Sequence, residues 1–296
     1  MPEIFGIPLQ AFTGQLMLGI VNGSFYAVLA LGLAVIFGLL KIVNFAHGAF
    51  FMVGAFGALM LERYLGIGYW PALLIIPVLT GCIGILVEIT LLRRLYGLDP
   101  IYGLLLTFGV ALLLEGSFRV GFGSSGQPYS TPPILRGSTD LSFMVLPNYR
   151  MWVVAASLIA CLATWLVIEK TKLGSYLRAA TERPDLTQAF GIKVPLIITL
   201  TYGAGVALAA VAGVLAVPIL HVSSSMGSNL VIIVFAIVVI GGLGSIFGSV
   251  VAGLALGLIE GLTKVYYSEA SATVIFLCMA LVLLLRPAGL FGREER

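Results

Sequence analysis

Few groups in this chain can do chemistry, and none of them gather in sequence. There are two histidines, His47 and His221, far apart and separately placed. The three cysteines, Cys82, Cys161 and Cys278, each lie inside an apolar run. An odd, scattered set of this kind makes neither a disulfide framework nor a metal site, and such thiols read as small packing groups. No His-Glu-x-x-His or Cys-x-x-Cys occurs, and no lysine follows a glycine, so a phosphate-cradling Gly-x-x-x-x-Gly-Lys-Ser/Thr loop is absent. The run Gly241-Gly-Leu-Gly-Ser-Ile-Phe-Gly248 resembles a dinucleotide fingerprint only loosely. It lacks the last glycine at the right spacing and lies between apolar segments rather than after a strand. The expectation is a chain with no catalytic residue, no metal site and no cofactor of its own. No block of five or six basic residues points to nucleic acid.

The polar residues that interrupt apolar segments are more informative. Asn44 and His47 stand in the run Lys41-Ile-Val-Asn44-Phe-Ala-His47-Gly48. Polar groups at membrane depth face protein or a water-filled path, so these two could form a pathway or gate at a broken helix. The same residues also fit a hydrated cytoplasmic turn. Three acids sit near basic partners: Glu88 before Arg93 and Arg94, Glu115 before Arg119, and Glu260 before Lys264. They read as interfacial ion pairs, with a proton relay as the alternative.

Lipid must position these groups. Of the 296 residues, 60% are hydrophobic and 10% charged, against roughly 25% charged in an ordinary soluble domain. A soluble globule and a disordered chain are both excluded. The composition predicts an all-α, polytopic membrane protein, with one transmembrane domain over 1–296. Apolar segments fall near 15–40, 46–61, 72–92, 102–118, 151–168, 196–218, 229–241, 247–264 and 271–286. The second and seventh are short for a crossing, so the expectation is 8–9 transmembrane helices, some broken. The N-terminus carries no basic region or cleavage signal.

With nine crossings, one face receives Lys41, Arg93, Arg94, Lys170, Lys172, Arg178, Arg183, Lys193, Arg286, Arg293 and Arg296. The other receives Arg63, Arg119, Arg136, Arg150 and Lys264. The richer face is expected in the cytoplasm, with the N-terminus outside. An irregular external loop is expected at about 119–150, rich in Gly, Ser and Pro. A second loop at about 169–194 is charged and shows helical spacing at Leu173, Tyr176, Leu177 and Ala180. Pro184 can start a further short helix and Gly191 can end it. This loop is expected to be ordered as two short helices.

Small residues recur at four-residue spacing. Gly253, Gly257 and Gly261 fall at this spacing, as do Gly244 with Gly248 upstream, Gly19 with Gly23 and Ala209 with Gly213, and Gly241 and Gly242 stand beside the series. These faces read as close helix packing, as an interface with a second subunit or as a sliding surface in a transport cycle. The regions 32–60 and 231–261 echo each other as helix, polar or Gly-rich break, then small-residue helix, a pattern of transporter repeats.

Three motifs then carry a resemblance. They are Gly32-Leu-Ala-Val-Ile-Phe-Gly-Leu-Leu-Lys-Ile-Val-Asn44-Phe-Ala-His47-Gly48, Leu177-Arg-Ala-Ala-Thr-Glu-Arg-Pro-Asp-Leu-Thr-Gln-Ala-Phe-Gly-Ile192 and Ile240-Gly-Gly-Leu-Gly-Ser-Ile-Phe-Gly-Ser-Val-Val-Ala-Gly253. In order and spacing the chain resembles the branched-chain amino acid ABC-transporter permeases, specifically the shorter of two permease subunits. The resemblance implies the ABC importer permease fold in a bacterial inner membrane. It implies a second homologous permease, two cytoplasmic ATPases that hold ATP and Mg, an external substrate-binding protein and a small amino-acid substrate. It assigns ATPase coupling to Arg178, Glu182, Arg183, Asp185, Ala189 and Gly191, and favours Asn44 and His47 as path or gate. Import of urea or short amides fits the same architecture. A stand-alone ion-coupled carrier fits poorly, because no unpaired intramembrane acid is evident.

Overall fold

A computed structural model describes residues 3–4, 7–40, 43–140 and 144–292. Lys41, Arg293 and Arg296, three of the expected cytoplasmic basic residues, lie outside the described residues. Among the described residues the chain forms eleven α-helices: α1 (Leu9–Leu40), α2 (Ala46–Leu65), α3 (Tyr69–Thr90), α4 (Pro100–Phe122), α5 (Asn148–Lys170), α6 (Lys172–Glu182), α7 (Pro184–Ala189), α8 (Val194–Ala216), α9 (Met226–Gly241), α10 (Ile246–Tyr266) and α11 (Val274–Leu285). The two-residue strands Glu3–Ile4 and Ile7–Pro8 pair, as do Ser138–Asp140 and Val145–Pro147.

Seven helices, α1 to α5, α8 and α10, are long and apolar enough to cross a membrane. With 20 residues α2 is among them, so it is a full-length helix where a short one was expected. The expected short seventh segment is α9, with 16 residues. The shortest is α11, with 12 residues, about 18 Å against a hydrocarbon thickness of about 30 Å. Backbone contacts fix where the chain enters α9 and leaves α11. Before α9, Val222 bridges Gln127 in the α4–α5 connection. After α11, the Leu290 N–H donates to the Ile240 carbonyl at 2.8 Å and the Phe291 N–H to Gly241 at 3.2 Å. The chain is therefore a multi-pass membrane protein, with seven helices long enough to cross and two shorter apolar helices among the described residues.

Local sequence explains the helix ends. Asp99 accepts the Ile101 N–H at 2.9 Å with Pro100 at the first turn of α4, and Ser245 accepts the Gly248 N–H at 3.1 Å at the start of α10. Both side chains meet backbone donors that a helix start leaves unpaired. The α4–α5 connection is shorter than 119–150, because Arg119 and Arg150 are both helical. The charged 169–194 stretch does contain two short helices, α6 and α7. Pro184 opens α7, and Gly191 follows it at φ +81°, the left-handed region that favours glycine.

The core is built on backbone contact. In the antiparallel α1–α10 seam, a Cβ on Gly19 would stand 2.6 Å from the Gly257 carbonyl oxygen, and one on Gly253 would stand 2.7 Å from the Ala27 nitrogen. Gly261 packs on Gln15 and Gly19, Gly248 on Gly241, Gly244 on Gly38, and Gly242 on Gly292. The packing reading of this glycine series therefore holds. The second-subunit reading does not, because α1, α9, α10 and the 289–292 segment already cover those faces. The same device joins α2 to α8 at Gly54 and Gly213, and α3 to α8 at Gly81 and Gly203. Close approach of this kind substitutes for the hydrophobic force that lipid removes. Burial falls from 83% over the apolar window of α1 to 11% for α4 and 17% for α5, so α4 and α5 present the free outer faces.

Candidate functional site

The polar break between α1 and α2 is not at the membrane surface. His47 Nε2 lies 3.0 Å from the Leu29 carbonyl oxygen, and Leu29 is about 16 Å back from the end of α1 at 1.5 Å per residue. The Phe45 N–H donates to Thr107 Oγ1 at 3.2 Å, about 10 Å into α4. Asn44 Nδ2 donates to the Tyr202 hydroxyl at 3.2 Å, about 12 Å into α8. The chain leaves α1, turns back into the bundle and begins α2 at depth. Asn44 is 2% and His47 1% exposed. The hydrated-turn reading is thereby excluded, since no water-facing surface remains on either side chain.

Their neighbours line a cavity. Phe45, Ala49 and Met52 form one wall of a groove, with Phe108, Leu112 and Glu115 of α4, Ser224 just before α9 and Ser228 in its first turn. Sequence reading named Asn44 and His47 but missed Phe45 and the groove. Three segments distant in sequence build it, and no local spacing announces it. The only local signal was Glu115, an acid within an apolar helix.

A second polar cluster sits where α3 meets α8. Glu88 is fully buried. It accepts hydrogen bonds from Arg93 at 3.2 and 3.3 Å, from the Tyr96 hydroxyl at 2.9 Å and from Thr199 Oγ1 at 2.7 Å. Arg93 also donates to Thr199 at 2.5 Å. The expected Glu88–Arg93 pair is present, and Tyr96 and Thr199 complete its hydrogen bonding. A buried charge is tolerable only when paired and hydrogen-bonded in this way. The other two expected pairs also form: Arg119–Glu115 at 2.5 Å and Lys264–Glu260 at 2.5 Å, the latter carboxylate also accepting from Tyr26 at 2.8 Å.

The two-helix loop leads straight into this cluster. From α7 the chain passes Gly191 and enters α8, where Thr199 meets Glu88 and, one turn on, Tyr202 meets Asn44. Within the loop, Arg178 pairs with Glu169 at 3.1 Å, and Arg183 forms the junction between α6 and α7. Asp185 lies in the first turn of α7, where an acid suits the positive helix end. Arg178, Glu182, Arg183, Asp185, Ala189 and Gly191 are all exposed. So is Phe190, at 84%, a large apolar residue that the charge-based reading of the loop passed over. The sequence-predicted residues thus form two groups. Asn44 and His47 are buried at the break, the loop residues are exposed at one end, and α8 joins them.

Among the described residues no three His, Cys, Asp or Glu side chains come together as a metal centre.

Comparison with known proteins places this geometry in a family. Residues 15–285 match the family described as the permease component of the branched-chain amino acid transport system. The chain is 30% identical over 310 residues to the high-affinity branched-chain amino acid transport system permease protein BraD of Pseudomonas aeruginosa, covering 100% of this chain and 99% of the relative. It is 29% identical over 301 residues to the corresponding permease protein LivH of Escherichia coli, covering 96% of each. To the permease protein LivM of the same organism it is 27% identical, covering 90% of this chain and 67% of that relative. No solved structure matches. With a buried break, an exposed helical loop and a match over nearly its whole length, the chain belongs to the branched-chain amino acid transport permease family.

Proposed function

We propose that this chain is one of two permease subunits of an ATP-driven importer that carries branched-chain or other apolar amino acids across the inner membrane. Its partners are a second, homologous permease, two cytoplasmic ATPases that hold ATP and Mg, and an external binding protein that delivers solute. The observation that carries the reading is the exposed α6–α7 loop. It is ordered, charged, tipped with Phe190 and continuous through α8 with the buried break. A chain with no phosphate-binding loop of its own has use for such a surface where a separate motor docks. Relatives named LivH and LivM, both permease proteins of the high-affinity branched-chain system in one organism, support a paired second permease.

The test is uptake of labelled leucine in a strain lacking redundant importers. Deleting this chain is expected to abolish ATP-dependent uptake, and restoring it to recover uptake. Unchanged leucine uptake on deletion, with loss of urea or short-amide uptake, would move the solute assignment to that class. Transport by this chain alone, driven by a proton or sodium gradient, would refute the importer reading.

A further inference from the structure

The groove beside the break combines depth in the bundle, an acid and an apolar wall. About 50 Å³ of it is open to a water-sized molecule, so the chain supplies one shallow wall and not a closed pocket. Phe108, Leu112, Glu115 and Arg119 follow one face of α4 at helical spacing, and the first three line the groove. Phe45, Ala49 and Met52 supply an apolar floor, while Ser224, 3% exposed, and Ser228 bring hydroxyls to the far wall. Glu115 stands about 10 Å from the outer end of α4 at 1.5 Å per residue, and its side chain is 17% exposed. Its partner Arg119, one turn outward, is 56% exposed.

A carboxylate at that depth facing lipid would be costly, so it faces protein or a wet passage. The chain itself leaves the α4 face uncovered, with Phe108, Leu112 and Leu113 all exposed. A half-open groove with one acid, a neighbouring guanidinium and a wall for an aliphatic side chain matches the chemistry of an α-amino acid zwitterion. We infer that this groove is one wall of the solute passage and that Glu115 accepts the solute's ammonium while Arg119 takes its carboxylate. This rests on the amino-acid importer reading above. It adds to that reading a named contact, at a position outside the Asn44–His47 break.

The test uses the whole importer, reconstituted with its partners and external binding protein, and labelled leucine. Wild type is measured first. If it carries urea or a short amide and no leucine, the amino-acid reading falls and the ammonium role falls with it. Where wild type carries leucine, Glu115→Gln is expected to cut uptake about tenfold or more, the scale of a lost charge-assisted contact, and Glu115→Asp to recover a large part. The neutral pair Glu115→Gln with Arg119→Gln is expected to stay as low as Glu115→Gln alone. It leaves no charge unpaired, so it reports even where the single variant fails to insert. A purely structural ion pair predicts recovery in the double variant. Leucine uptake at the wild-type rate in either variant overturns the role of Glu115 while leaving the importer assignment standing.

Discussion

Asn44 at the break hydrogen-bonds Tyr202 on α8 at 3.2 Å, one helical turn beyond the Thr199 that is tied to Glu88 at 2.7 Å. The helix that leaves the exposed loop thus meets first the α3 clamp and then the break. Tyr202→Phe removes the hydroxyl and leaves the buried Asn44 amide without its acceptor, at a cost of about 1–3 kcal/mol. Expected is an assembled importer that hydrolyses ATP but moves less solute per ATP, measured in proteoliposomes. An unchanged solute-to-ATP ratio would disconnect the break from the α8 path.

Glu88→Ala removes the carboxylate that Arg93, Tyr96 and Thr199 share. Tyr96 loses its acceptor, Thr199 falls back on the Pro195 carbonyl at 2.9 Å, and Arg93 keeps Thr199. Arg93 is 39% exposed on its side chain, so water can re-solvate it and its share is small. The half-buried Tyr96 hydroxyl sets the loss, about 1–3 kcal/mol. The melting temperature of the purified protein in detergent should fall, and by less in Glu88→Gln, whose amide oxygen still accepts. Equal melting of wild type and Glu88→Ala would show the cluster to be structurally idle.

Gly257→Leu should prevent folding, because the position is in backbone contact with Gly19 and Gly23 of α1. Gly109→Ala makes the contrast. Nothing lies within 4 Å of a Cβ built there, and Gly→Ala in a compatible helix gains about 0.4–1 kcal/mol. Yield of monodisperse protein after detergent extraction separates the two. Similar yields would contradict the α1–α10 seam.

Phe190→Ala should lower co-purification of the ATPase with little effect on insertion, because the side chain is 84% exposed and packs on nothing that folding requires. Gly191→Val should act differently. It strains the φ +81° backbone and so disorders the α7 end, lowering docking together with protease resistance of the loop. Wild-type ATPase recovery with Phe190→Ala would remove Phe190 from the docking surface.

Apolar runs made the long helices and the short α9 legible, because lipid imposes that pattern on sequence directly. The α6–α7 loop was legible for a local reason: Pro184 and Gly191 mark its turns whatever surrounds them. The depth of Asn44 and His47 was not. Hydropathy records that polar residues interrupt an apolar run, but depth is set by where α2 packs on Leu29 and Thr107, which are remote in sequence. The glycine series showed that backbones would meet, though not which ones. Only the placement of α1 against α10 decided between packing within the chain and an external interface. Glu88 shows the same limit, since its Arg93 partner is five residues away and its Thr199 partner lies on another helix.

The glycine contacts also bear on how such a protein moves. Where backbones touch with no side chain between them, neither helix has room for a larger residue at the contact. This joins α1 to α10, α2 to α8 and α9, and α3 to α8. If the α6–α7 loop is the docking surface proposed above, a push on it would enter this tightly joined unit through α8, and the uncovered faces of α4 and α5 would be where it moves against a neighbour.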